Sequence, residues 1–247
     1  MEVHHHAHTS RKKWTHYFWE FLMLFLAVFC GFLAEYTLEH KIENDREKQY
    51  MQSLVEDLKR DTAEYQRNYT LAKRQLLLLD SLLDLVNNQP ISGDNINRLY
   101  MLATNSTRVL GMRFEKRTSS QLKNAGGMRL VRKREVADSI LSYWSYIEVS
   151  ENIRDRLESI GTERSNVAAR LFHNKYYIRE VTTSVAPATG IKDGATLINS
   201  DPALMAEYSN RTYSRIVVTN NYVNLSSFMK EQAIRLMDQV RKEYKVK

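Results

Sequence analysis

The stretch Tyr17 to Tyr36, YFWEFLMLFLAVFCGFLAEY, decides how the rest of the chain is read. The fourteen residues from Phe21 to Ala34 carry no charge, and a glutamate stands at each end, Glu20 and Glu35. Fourteen apolar residues are short for a membrane span. The flanks lengthen it. Trp14, Tyr17, Phe18 and Trp19 precede the run and Tyr36 closes it, as rings do that prefer a membrane–water boundary. From Tyr17 to Tyr36 a helix rising 1.5 Å per residue reaches about 30 Å, the thickness of a hydrocarbon core. Both glutamates then lie at head-group depth. A cleaved signal peptide competes, but Phe32-Leu33-Ala34 puts a phenylalanine where cleavage needs a small residue, and Phe29 before Cys30 disfavours a lipoprotein. A buried soluble helix leaves Arg11-Lys12-Lys13 and the aromatic cluster unexplained. The expectation is an uncleaved signal-anchor at residues 17–36, between a basic, histidine-containing tail at 1–16 and a body at 37–247.

Basic residues abut the span on the N-terminal side, whereas Lys41, Arg46 and Lys48 are diluted by Glu39, Glu43, Asp45 and Glu47. The bias favours a cytoplasmic N-terminus and an exported body. Along the span, Glu20, Leu24, Ala27, Gly31 and Ala34 recur at steps of three and four and share one face. Small residues there let two helices approach closely in lipid, so this is the candidate self-association face. A single span also needs no partner, and both readings stand. Glu20 as a proton carrier is the weaker alternative to a hydrated boundary carboxylate.

Only 8 Gly and 3 Pro occur in 247 residues, so the chain has few turns and long helices. After Leu38, Met51, Leu54, Leu58, Thr62, Tyr65, Tyr69, Ala72, Leu76, Leu79 and Leu83 form a heptad seam. With no breaker between Phe32 and Asn87, span and seam are read as one helix, ended by NNQPISGD with Asp94 as the next N-cap. A short helix follows to Asn105. A second seam runs through Ile140, Tyr143, Ile147, Ile153, Leu157, Ile160, Val167, Leu171 and Ile178, then a loop from Thr182 to Ser200. Asp201-Pro202 is an N-cap with proline at the first helical position, opening a last helix that carries Ile216, Val223, Ile234, Met237 and Tyr244. The expected fold is all-α: one transmembrane helix continuing into an elongated antiparallel bundle of about four helices, up-down-up-down.

The blocks FWEFLMLFLAVFCGFLAEYTLEHKIE, QLKNAGGMRLV with VADSI, and the terminal VRKEY resemble an uncharacterised family of small bacterial membrane proteins of Gram-negative type. The resemblance covers nearly the whole chain. It implies one N-terminal span in the inner membrane and a helical body, and it carries no activity and no catalytic residue.

The segment from Arg108 to Arg134 is the main charge feature. Arg108, Arg113, Lys116, Arg117, Lys123, Arg129, Arg132, Lys133 and Arg134 face Glu115 alone, a local surplus of eight in a chain of net charge +7. A solvated face is the plain reading. The functional ones are anionic lipid or an acidic protein; nucleic acid is disfavoured by expected export and by the lack of a recognition motif. His4, His5, His6 and His8 sit in a polar tail with nothing to orient them as metal ligands. Asp61-Thr62-Ala63, Asp80-Ser81-Leu82 and Asp138-Ser139-Ile140 match a bacterial O-glycosylation pattern, but in expected helices. No nucleophile motif, phosphate loop or dinucleotide fingerprint is present, and the single thiol, Cys30, lies in the span. No catalytic, cofactor or metal residue is assigned. The expectation is a membrane-anchored scaffold or accessory subunit, a homo-oligomer or part of a larger membrane complex. A sensory or ligand-binding module working with a separate signalling partner is the alternative.

Overall fold

The computed structural model describes residues 14–107, 110–111, 113–124, 126–178 and 189–246. Of these, 84% are helical, and the fold is all-α. The helices are α1 (Trp14–Asn88), α2 (Asp94–Asn105), α3 (Arg117–Asn124), α4 (Arg134–Leu171) and α5 (Pro202–Tyr244). Gly127–Leu130 and Asn174–Tyr176 are single 3₁₀ turns, and Tyr177–Ile178 pairs antiparallel with Gly190–Ile191. The chain forms two compact units, Met1–Gln49 and Tyr50–Lys247.

In the first unit α1 is long and apolar enough to cross a membrane, and none of its most apolar 18-residue window is buried. Phe21, Phe25 and Phe29 stack at successive turns, with ring centroids 6.3 and 5.8 Å apart. The Tyr36 and His40 rings meet edge-on at 4.2 Å.

The second unit has its own core. Lys133 pairs with Glu243, Tyr146 packs on Phe228 and Arg170 pairs with Glu207, so α5 runs antiparallel to α4. Tyr222 meets Asn68 and Ser209 meets Asn87, so α5 is also antiparallel to the α1 segment of this unit. The return from α1 to α4 is no long rod. It is broken into the 12 residues of α2, the 8 of α3 and the turn at Gly127–Leu130.

Three sequence expectations are corrected. Asp94 is the first residue of α2 and not its cap; Gly93, at φ 56°, holds the capping position in a conformation that a side chain disfavours. The α4 seam stops at Leu171 and does not reach Ile178. Phe172 is extended, and its ring packs on Tyr100 and Tyr208 at 4.9 and 5.6 Å, which pulls the chain out of the helix. The next backbone N–H, of His173, donates to the Tyr100 hydroxyl at 2.9 Å. Third, of the two columns that face the core on α1, one is as expected and the other differs by one residue from the apolar count. On α1 they are Leu58, Tyr65, Ala72, Leu79 and, beside them, Leu54, Asp61, Asn68, Gln75, Leu82. Thr62, Tyr69 and Leu76 are only half-buried. Asp201 does cap α5, accepting from Ala203 N–H at 3.2 Å, with Pro202 first in the helix.

Candidate functional site

The seven-residue rhythm is strict and places polar side chains in the core. On α4 the buried column is Val136, Tyr143, Ser150, Leu157, Arg164, Leu171; on α5 it is Tyr208, Arg215, Tyr222, Met229, Leu236. Buried polar groups cost free energy unless hydrogen-bonded. Here each helix brings partners to the others at matched levels.

At the first level, Asp61 accepts from the Glu115 backbone N–H at 3.0 Å and from the Tyr143 hydroxyl at 2.7 Å. With the Tyr143 proton committed to the carboxylate, Tyr65 donates to Tyr143 at 2.9 Å. Burial lifts the Asp61 carboxyl to about 6, against the pull of its two donors, and pushes both phenols up. One turn earlier, buried Asp57 accepts from Thr118 N–H at 3.1 Å, a carboxylate at the start of α3 where the helix field favours it. At the next level, the Tyr222 hydroxyl donates to Asn68 Oδ1 at 3.2 Å, while Asn68 Nδ2 donates to the Glu64 carbonyl at 2.9 Å.

The third level divides the body's core into two apolar clusters. One runs from Met51 to Ala72 with Tyr143, Leu157 and Tyr222; the other holds Leu82, Leu99, Tyr100, Leu171 and Tyr208. Between them lie Gln75, Ser106, Arg164 and Arg215. Gln75 Nε2 donates to the Ser106 carbonyl at 2.8 Å, and Arg164 donates to the Ser106 hydroxyl at 3.0 Å. The Arg164 guanidinium also lies over the Tyr208 ring, 5.8 Å from its centre. Arg215 Nη1 donates to the Leu157 carbonyl of α4. Gly161 gives that approach room: a β-carbon there would stand 3.1 Å from Arg215 Nη1. Burial, and behind it the Arg164 charge, pushes Arg215 down to about 10. A cavity of about 340 Å³ opens at this level, with both arginines, Ser106, Leu110 and Leu157 among its walls.

The basic segment is docked on the body. Asp57 and Glu56 hold Arg117 at 3.1 and 3.5 Å, Glu151 holds Lys116 at 3.2 Å, and Glu243 holds Lys133 at 2.5 Å. Arg134 is 3.8 Å from Asp138, and Lys123 lies over the Trp144 ring at 4.8 Å. At least four of these cations therefore face carboxylates from elsewhere in the chain, so the surplus of eight in the sequence is reduced in space. Arg113, Arg129 and Arg132 are exposed, and Arg108 lies outside the described residues. So do the histidine tail and Arg11, Lys12 and Lys13. Glu20, Leu24, Ala27, Gly31 and Ala34 are all exposed on α1, and a β-carbon at Gly31 would meet nothing within 4 Å. The hydroxyls of Thr62, Ser81 and Ser139 each donate to the carbonyl one turn back, in α1 or α4. Among the described residues no cluster of His, Cys, Asp or Glu has the makings of a metal site.

Sequence reasoning missed the three-level polar core. Its one visible signal was Gly161, a glycine inside a 38-residue helix, where it weakens the helix and marks a close approach. No family model, no curated protein and no solved structure matches the chain.

Proposed function

We propose that the chain is a single-pass membrane-anchored helical subunit that acts through protein contacts in the bacterial envelope, with a cytoplasmic N-terminus and a periplasmic body. One observation carries this reading. Phe21, Met23, Leu24, Val28 and Phe32 are 65, 69, 66, 74 and 66% exposed on one stretch of α1, while the body satisfies its own core without them. In water such a stretch is an aggregation hazard; in lipid it is an anchor. The resemblance to small bacterial membrane proteins supports the compartment, and the small-residue face supports self-association within a larger complex.

The basic segment serves this role as a contact surface for anionic lipid or an acidic protein. It packs on residues 56–61, turns of α1 close in sequence to the apolar stretch, and leaves the Arg113 and Arg129 side chains exposed. A second reading, a ligand-binding module paired with a separate signalling protein, is favoured by the arginine-lined cavity.

Purification from solubilised membranes without prior stripping, followed by mass analysis of the intact complex, tests the proposal. A defined complex containing further copies of the chain or a stoichiometric second protein is expected. A lone monomer at native abundance contradicts it.

A further inference from the structure

We propose that residues 113–118, the piece of chain leading into α3, form a strap governed by the proton on Asp61: it stays clipped to α1 while that carboxyl is neutral and opens when it ionises. Three carboxylates on successive turns of α1 receive three backbone N–H groups of this piece. Glu64 accepts from Arg113, Asp61 from Glu115 at 3.0 Å and Asp57 from Thr118 at 3.1 Å. Side chains add to the clip. Arg117 reaches Asp57 at 3.1 Å, Arg60 lies 3.6 Å from Glu115, and the Phe114 ring packs on Tyr65 at 5.8 Å. Yet the clip is shallow. Residues 113–116 form no helix or strand; Arg113, Glu115, Lys116 and Arg117 are exposed, and Phe114 is half-buried. Closure also buries the Thr118 hydroxyl with no hydrogen-bond partner among the described residues, a cost that opening removes.

Asp61 is the sensitive member of the three. The groups that face it are Asp57 and Tyr65 from α1, Glu115 from the strap and Tyr143 from α4, with Tyr222 of α5 next beyond Tyr65. None of these carries a positive charge, and the cations nearby, Arg117 and Arg60, are engaged by Asp57 and Glu115. An ionised Asp61 is therefore a buried anion between two others, which burial and then like charge disfavour. Its two donors offset this only in part, and the carboxyl rests at about 6. Opening the strap admits water and takes Glu115 away, so the carboxyl returns towards the ordinary 3.8. The closed strap thus holds a proton that the open one releases, and raising the pH through this interval favours opening. The interval from 3.8 to about 6 spans a factor of about 160 in the opening equilibrium, complete above pH 7. Glu64 does not work against this: Arg67, one turn on in the same helix, holds its carboxyl low whether or not the strap is closed. Opening frees Lys116 and Arg117 from Glu151 and Asp57. It is read on the chain's own amides, so the strap stands or falls apart from the partner proposed for the basic segment.

The test follows amide hydrogen exchange in the full chain in detergent micelles from pH 5 to 8, each rate corrected for the intrinsic pH dependence of exchange. The Glu115 and Thr118 amides report the strap, and those of Val167 and Leu171 in α4 report the body around it. Tyr65 and Tyr143 still shield Asp61 when the strap is open, so the expected fall in protection at Glu115 and Thr118 is about tenfold or more, short of the full factor. The α4 amides should keep theirs. Asp61→Asn cannot ionise and still offers an acceptor to Glu115 N–H, so its strap should be equally protected at both ends of the range. The proposal is overturned if wild-type protection at the two strap amides is the same at pH 5 and pH 8. It is overturned also if the α4 amides lose protection in parallel, or if Asp61→Asn retains the pH dependence.

Discussion

Replacing Asp61 with Asn should stabilise the protein at pH 8 and lose that advantage in acid. Asp61 is 3% exposed, and its carboxyl titrates near 6 in the folded chain against 3.8 for the unfolded one. Between those values the folded state holds a proton that the unfolded state has released. Raising the pH through this window therefore favours unfolding, and above it the folded state bears a buried charge. At 1.36 kcal/mol per pH unit the penalty is about 3 kcal/mol. An asparagine removes the charge and keeps the geometry: its Oδ1 accepts from Glu115 N–H and its Nδ2 donates to Tyr143. Tyr143 then donates to Tyr65, whose own proton lacks an acceptor, a loss of about 1 kcal/mol. The net gain at pH 8 is about 2 kcal/mol, or about 4–8 °C in melting temperature for a body of this size. Below pH 4 both chains are neutral at this site and the variant should be the less stable by about 1 kcal/mol. Melting of both full-length proteins in the same detergent, from pH 3.5 to 8, measures the difference and cancels charges common to both. Parallel curves, or a variant less stable at pH 8, would refute the reasoning.

Gly161→Leu should destabilise the body by about 3 kcal/mol, because it drives the Arg215 guanidinium off the Leu157 carbonyl and leaves a buried charge without that acceptor; denaturant midpoints check it, and an unchanged midpoint removes the role given to this glycine. Cys30 adjoins the small-residue face, so mild oxidation in membranes should give a disulfide-linked dimer, and Gly31→Leu should reduce its yield several-fold on a non-reducing gel. Residues 37 to 247 should bind vesicles containing phosphatidylglycerol at low salt and not pure phosphatidylcholine, each engaged cation contributing about 1 kcal/mol. Arg113→Glu with Arg129→Glu should abolish that binding in a flotation assay, and indifference of the wild-type body to anionic vesicles would leave an acidic protein as the partner.

The fold class was legible because breakers are scarce and the apolar stripes are long. Helix ends were legible where local chemistry makes them: Asp201-Pro202 opens α5 as read, and α1 stops at Asn88, beside the expected NNQPISGD. The α4 end was not, because Phe172 leaves the helix for rings that come from Tyr100 and Tyr208, distant in sequence. One of the two α1 core columns was misread for a similar reason. Counting apolar residues selects Thr62, Tyr69 and Leu76 and passes over Asp61, Asn68 and Gln75, which are buried because their partners arrive from elsewhere. Tyr143, the donor to Asp61, is 82 residues away. A polar residue at a heptad core position looks like a surface residue until its partner is known. The cavity arginines were hidden in the same way, on two helices whose columns are each regular. The basic segment was legible as a charge run, but not its neutralisation by Glu56, Asp57, Glu151 and Glu243, which only the docking of α3 and the start of α4 brings near; Asp138 is the exception, one turn from Arg134 in the same helix.

The claim on which the functional account rests is that α1 holds the chain in a membrane with its N-terminus uncleaved. Alkaline carbonate washing of membranes from cells making the untagged protein, followed by N-terminal sequencing and intact mass of what remains, tests it directly. The account predicts that the protein stays in the membrane pellet with the residues before Trp14 still attached. A soluble product, or one that begins near Glu35, would contradict it.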